Sequence, residues 1–413
     1  MAPTSVPLDL RSQSPLIRTD WLSSALSNKA FIHSMFCAAA MHMYVLGKAS
    51  AIDIMHHRAE AVAALSLLLA DSNTSLADSN IAAVFSLLCV EESLSSAPYY
   101  SPLHAAWEKS TDQRAIHYNG LNRMIALRGG LGSLKTNKCL QSFILWHRTV
   151  HAIALCQRAD IDLDWVTEQA LSPSAHLSHH PGQHNYMAEM CRVIGIEHEL
   201  LNLVVQLESY AYTVSRWYSK TPSDMCPWAL QNAACILECR LLDYLSTISS
   251  IAGDSPPRLS PGTPPLQYQR PPSPSSRARI HMLAHTALTT ALLTFTICIS
   301  EPLSRPFYSF HISLISRLRD ALQSLSVADF AAAPDVYFWI LAVGAFASRG
   351  SREDRWFKST VDGVYDGVRA GHGKIGERGG VEWIVDRAKR CLWVEFVLDM
   401  WVKKLVESQS SLR

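Results

Sequence analysis

The chain has 413 residues, of which 48% are hydrophobic and 18% charged, and its net charge is +1. The charged share lies below the quarter or so usual for soluble chains, which points to a large buried core. No clustered excess of Lys and Arg is present, so a direct grip on DNA by this chain alone is disfavoured.

The ten cysteines, at 37, 89, 139, 156, 191, 226, 235, 239, 298 and 391, are scattered through mostly apolar stretches. A free thiol there behaves as a small hydrophobe. The first residues, "MAPTSVPLDLRSQSPLIR", lack the apolar run of a signal peptide. The expectation is an intracellular, reduced protein.

In chain order, residues 1–24 read as a flexible N-terminal segment and 25–252 as the front part of a helical array. Residues 30–47 carry no Asp, Glu, Lys or Arg and read as a buried core helix. In 56–70, Val62, Leu65, Leu68 and Leu69 fall on one face, and the polar "DSN" stops the helix. Residues 76–92 predict a second apolar helix with a capping candidate at Asp78. In "HYNGLNRMIALRGGL" (117–131), Leu121, Met124 and Ile125 make an apolar face, and Arg128 sits in the last turn, where a cation suits the helix dipole. The paired glycines predict a stop, with Gly130 left-handed and Leu131 folding back onto Ile125 or Ala126. Gly120, inside this helix, implies close helix packing. Further helices are predicted over 138–157, 187–219 and 225–250, with a loop at 171–186.

Residues 253–279 hold eight of the 20 prolines and predict a disordered Pro/Ser-rich linker. The back part, 280–408, predicts helices over 280–299, 304–325, 335–348, 352–369 and 381–407. In the last, Trp393, Phe396, Val397, Met400 and Trp401 form the expected buried stripe, and Asp399 and Lys403 an i,i+4 pair. No run alternates with period two. The expected fold is all-α: a single large irregular helical array with a disordered proline-rich insertion.

Candidate chemistry is sparse. "GHGKIG" (371–376) matches G-x-G-x-x-G, but a helix-like stretch precedes it where a dinucleotide site needs a strand. "HELLN" (198–202) places Asn202 where a zinc-peptidase motif needs its second histidine. Cys235 and Cys239 sit one turn apart, as do His281 and His285. Four such ligands can close a tetrahedral zinc site, yet all lie in apolar helices and read as core residues. His176, His179, His180 and His184 belong to a loop that builds no selective site. Ser255, Ser260, Thr263 and Ser273 each precede a proline in the linker and suit proline-directed phosphorylation. No G-x-S-x-G elbow is present. No catalytic, cofactor-binding or metal residue is assigned, and neither enzyme activity nor a cofactor is expected.

Several stretches in order, "HHRAEAVAAL", "LADSNIAAVFSLLCVEE", "HYNGLNRMIALRGGL", "FWILAVGAFAS", "RWFKS" and "KRCLWVEFVLDMWVKKLVES", resemble the fungal-specific transcription factor domain. That domain is the helical regulatory region of fungal binuclear zinc-cluster regulators, and the resemblance covers roughly 25–407. It implies a transcriptional regulator in the nucleus, with the cytoplasm as a second compartment, tied to a metabolic or secondary-metabolite pathway. It also implies protein partners or a homodimer, and a small-molecule effector in some members. The family's zinc cluster is built on C-x-x-C pairs, and this sequence has none. DNA is then reached only indirectly, or through a zinc-cluster exon missing upstream. One alternative is a helical small-molecule-binding protein or enzyme on a borrowed fold, with His281, His285 and the threonines of 286–296 as its polar groups. Another is a membrane-associated regulator using 280–299, although no membrane partner is expected.

Overall fold

The computed structural model describes residues 17–95, 111–163, 186–219, 227–251, 276–300, 308–372 and 380–399. Among them the secondary structure is helical, with no strand, as an all-α sequence requires. The chain divides into two compact units: Met1–His147 with Ile161–Gln169, and Arg148–Asp160 with Ala170–Arg413.

The first unit begins with a π-helical turn, Ile17–Leu22, and α1, Ser23–Leu26. The expected flexible segment 1–24 is therefore helical from residue 17. The reason is Trp21, whose ring meets Phe31 and Phe143 edge-on at 4.8 and 5.0 Å. Next come α2 (Lys29–Val45), α3 (Ala51–Ala70), α4 (Asp78–Ser95) and α5 (Thr111–Arg128). Asn28 caps α2 by accepting from the Phe31 N–H at 3.0 Å. Ser50 and Asp53 form a reciprocal capping box that starts α3 five residues ahead of the expected 56. Its buried residues are Ile54, Ala61 and Leu65, while Leu69 is 42% exposed, so the buried face is rotated from the one expected. Cys37, Met41, Ile54 and Val90 cluster where α2, α3 and α4 meet.

The glycine stop of α5 is a Schellman motif. Gly129 N–H donates to Ala126 O at 3.1 Å and Gly130 N–H to Ile125 O at 2.9 Å. That bonding makes Gly129, at φ 98°, the closing residue, one position before the expected Gly130. Leu131 is buried. Arg128 does more than face a dipole: its guanidinium pairs with Asp78 at 2.7 Å and donates to Leu76 O at 2.5 Å. It thereby pins the start of α4. Gly120 has open space where a Cβ would stand, so close packing is not its reason.

Helix α6, Lys138–Leu155, contributes its first ten residues to the first unit and the rest to the second. It closes at Cys156, a non-glycine residue at φ 49°.

The second unit holds α7 (Tyr186–Val193), α8 (His198–Tyr218), α9 (Pro227–Ile251), α10 (Ser276–Ser300), α11 (Tyr308–Leu322), α12 (Pro334–Ala347), α13 (Asp354–His372) and α14 (Gly380–Ala388). The expected helix 187–219 is two helices, broken by a second Schellman stop at Gly195 (φ 76°). Helix α10 starts at Ser276, so the last four residues of the expected linker are helical; residues 252–275 lie outside the described residues. Helix α10 packs against α8, α9, α11 and α12, which explains its lack of charge beyond Arg279. It is long and apolar enough to cross a membrane, but its most apolar window is 78% buried inside the fold. Helix α12, opened by Pro334 at its first position, is buried along Asp335–Ala347.

The expected helix 381–407 breaks after Ala388 and resumes over 395–399. No Gly or Pro causes this. The Trp339 indole, fully buried, donates to Leu392 O at 2.7 Å, so backbone in the break serves the core of α12. In the expected stripe Val397 is buried, Trp393 half-buried and Phe396 54% exposed. Asp399 pairs with Lys389 at 3.0 Å; Met400, Trp401 and Lys403 lie outside the described residues.

Candidate functional site

Polar side chains inside each unit decide what chemistry the fold can carry. In the first unit, Glu91 is fully buried and accepts from Arg58 Nε at 2.8 Å. His117 Nε2 stands 3.8 Å from the same carboxylate. Burial, and then the Arg58 charge, push the His117 pKa down to about 4. A neutral imidazole beside a buried ion pair ties α3, α4 and α5 together. Breaking such a pair on one side is strongly destabilising, so these groups act in stability.

In the second unit, Glu208 does a similar service. Its carboxylate accepts from the N–H groups of Met187 and Ala188 at 3.0 and 3.2 Å, satisfying donors that the first turn of α7 leaves unpaired. Burial raises its pKa to about 7 against those hydrogen bonds. Asp335, also buried, accepts from Arg387 Nε at 2.6 Å and from Tyr186 Oη at 2.7 Å, joining α14 and α7 to the start of α12.

A different kind of cluster stands at the turn between α7 and α8. Gly195 ends α7 and reverses the chain, and Glu197 occupies the position before α8. The Glu197 side chain does not cap its own helix. It accepts instead from Tyr244 Oη of α9 at 3.2 Å. Tyr244 Oη also lies 2.6 Å from Nδ1 of His285 on α10. One turn earlier on α10, His281 Nε2 stands 3.3 Å from Gly195 O. The two imidazoles are 4.3 Å apart between centroids. Glu197, His281 and His285 each bring one donor atom within 4.8 Å of the others. Glu197 and His281 are exposed and His285 is buried. Burial, then His281, pushes the His285 pKa down to about 4, with Glu197 opposing; burial, then Glu197, raises that of Tyr244.

The structure therefore brings together His281 and His285, the pair one turn apart in the sequence, but not with Cys235 and Cys239. Those thiols are buried in α9, where Gln231 Nε2 donates to Cys235 Sγ at 3.5 Å and Cys239 Sγ lies 3.4 Å from Thr149 Oγ1. Burial raises the pKa of both, Cys239 to about 12. Their place is taken by Glu197 and Tyr244, which sequence reasoning passed over. No local signal marks them, because the pairing is set by how α8, α9 and α10 pack. "HELLN" opens α8, and its His198 and Asn202 are exposed and paired with each other at 3.2 Å. The threonines of α10 do not converge on a pocket. Thr286, Thr289, Thr290, Thr294 and Thr296 each donate to the carbonyl four residues back, which satisfies a hydroxyl inside an apolar helix. Gly371 and His372 of "GHGKIG" end α13, and the rest of that stretch lies outside the described residues. So do the loop histidines and the four Ser/Thr-Pro sites. An open depression of about 540 Å³ is lined by Ser215, Tyr218, Ser219, Trp393, Glu395 and Phe396.

Comparison with known proteins adds one positive finding. No curated protein and no solved structure matches the chain. The family model described as the fungal specific transcription factor domain matches residues 7–370. The match starts ahead of the expected residue 25, consistent with the packed turn at Trp21, and reaches into both units. With most of its length covered, the chain belongs to the fungal specific transcription factor domain family, a family of transcription regulators.

Proposed function

We propose that this chain is the helical regulatory body of a fungal transcription regulator that acts in the nucleus and controls a metabolic or secondary-metabolite pathway. The family match over 7–370 carries this reading. The body binds a protein partner, a second copy of itself or a small effector. The bound ligand shifts an equilibrium between two arrangements through its differential affinity for them. DNA is reached through a partner or a zinc-cluster segment, in keeping with the net charge of +1.

The test fuses the chain to an unrelated DNA-binding domain over a reporter. The expected result is a several-fold rise or fall in reporter output relative to the DNA-binding domain alone. A stable, nuclear fusion that leaves output unchanged counts against the regulatory reading. Alone, the chain is expected to show no retention of duplex DNA near 0.15 M salt; tight, salt-sensitive binding would overturn indirect recruitment.

A further inference from the structure

We infer that Glu197, His281 and His285 form a binding site for one zinc-class divalent ion. Tyr244 has a single hydroxyl proton, and it goes to Glu197 Oε2. The 2.6 Å contact with His285 must then run from His285 Nδ1–H to Tyr244 Oη. That fixes the tautomer and leaves a lone pair on Nε2, a buried nitrogen with no hydrogen-bond partner. At His281 the only atom offered by Gly195 is a carbonyl oxygen, so Nε2 carries the proton there. Nδ1 of His281 keeps its lone pair. Glu197 has a second carboxylate oxygen beyond the one that Tyr244 engages. Each of the three side chains thus keeps a free lone pair, and one donor atom from each residue lies within 4.8 Å of the others.

Two histidines and a carboxylate suit zinc and its neighbours in the first transition series. A hydrogen bond from the other ring nitrogen of a ligating histidine is the usual support for such a site, and Tyr244 supplies it. Tetrahedral bonds of about 2.0–2.1 Å hold ligand atoms roughly 3.4 Å apart. Closing from 4.8 Å falls to Glu197 and His281, whose exposed side chains can change rotamer while His285 stays fixed. Three protein ligands leave a fourth position open to water or a small donor. Binding would join the α7–α8 turn to α10, the helix against which α8, α9, α11 and α12 pack.

The experiment uses the full chain, stripped with EDTA and dialysed, then titrated with Co²⁺ and back-titrated with Zn²⁺. One equivalent of Co²⁺ is expected, with visible d–d absorption that Zn²⁺ abolishes. His281→Ala and Glu197→Gln change exposed side chains and leave the core intact; each is expected to weaken binding by about 10–100-fold. Replacing His176, His179, His180 and His184 together by Ala is expected to leave the site unchanged. Absence of stoichiometric binding, or binding that survives His281→Ala and Glu197→Gln but is lost in the quadruple variant, would overturn the proposal. Reporter output plays no part in this readout, so its outcome is separate from that of the regulatory reading.

Discussion

Two glycines, one inside α5 and one just past its end, make opposite demands. Gly129 sits at φ 98° with both Schellman hydrogen bonds in place, a backbone region that costs a residue with a Cβ about 1–2 kcal/mol. Gly120 has ordinary helical geometry and nothing within 4 Å of an added Cβ, and a mid-helix glycine forfeits about 0.5–1 kcal/mol relative to alanine. Gly129→Ala is therefore expected to lower the urea midpoint and Gly120→Ala to raise it. Shifts of the same sign in the two variants would refute this account. The helix stop was legible from "RGG" because glycine pairs announce it. Which glycine closes the helix was not, because that depends on where the last helical carbonyl finds its donor. Gly120 was misread for a plainer reason: a glycine in sequence does not say whether its neighbours crowd it. At the α7–α8 turn the same limit applies. The spacing of His281 and His285 could be read from the chain, whereas Glu197 and Tyr244 reach them only through tertiary packing.

At the scale of elements, close approach does matter where α12 meets α13. A Cβ on Gly344 would fall on the ring of Phe357, 2.7 Å from its Cζ and closer still to Cε1. Phe357 is fully buried and cannot swing into solvent. Gly344→Ala is expected to destabilise the chain by about 1–3 kcal/mol through overpacking. Adding Phe357→Leu, which removes ring atoms from the contact, should recover part of that loss. A double variant no more stable than Gly344→Ala in chemical denaturation would show that the clash is not the cause. Helix existence was legible almost throughout, because apolar periodicity and caps are local. Boundaries were less legible, and two of them show why. The start of α3 depends on the Ser50–Asp53 capping box, which lies ahead of the apolar periodicity. The break after Ala388 depends on the indole of Trp339, far away in the chain.

For the molecule as a whole, buried titratable groups set the response to pH. On the acid side the signs oppose. His117 and His311, both pushed down to about 4 by burial, contribute stability above about pH 6.5 that is lost as pH falls. Glu208, raised to about 7, contributes stability below about pH 4.5 that is lost as pH rises. On the alkaline side they agree. Cys37, Cys139, Cys191 and Cys239 are each raised from 9.0 to about 12 by burial, and Cys89, Cys235 and Cys391 also move up. An unfolded chain loses these protons above pH 9 while the folded one keeps them, so stability is full below 9 and falls towards 12. The urea midpoint should hold near pH 8 and drop steadily from pH 9 to 11; a level profile across that range would contradict it. Helix α10 has a consequence in the order of synthesis. A ribosome makes α8 and α9 before it, and α11 and α12 after it. When α10 first emerges, half of its eventual cover does not yet exist, and a segment with the hydropathy of a membrane span stands open on that side. Until α12 is complete, the nascent chain offers chaperones and targeting factors a signal that the finished protein conceals.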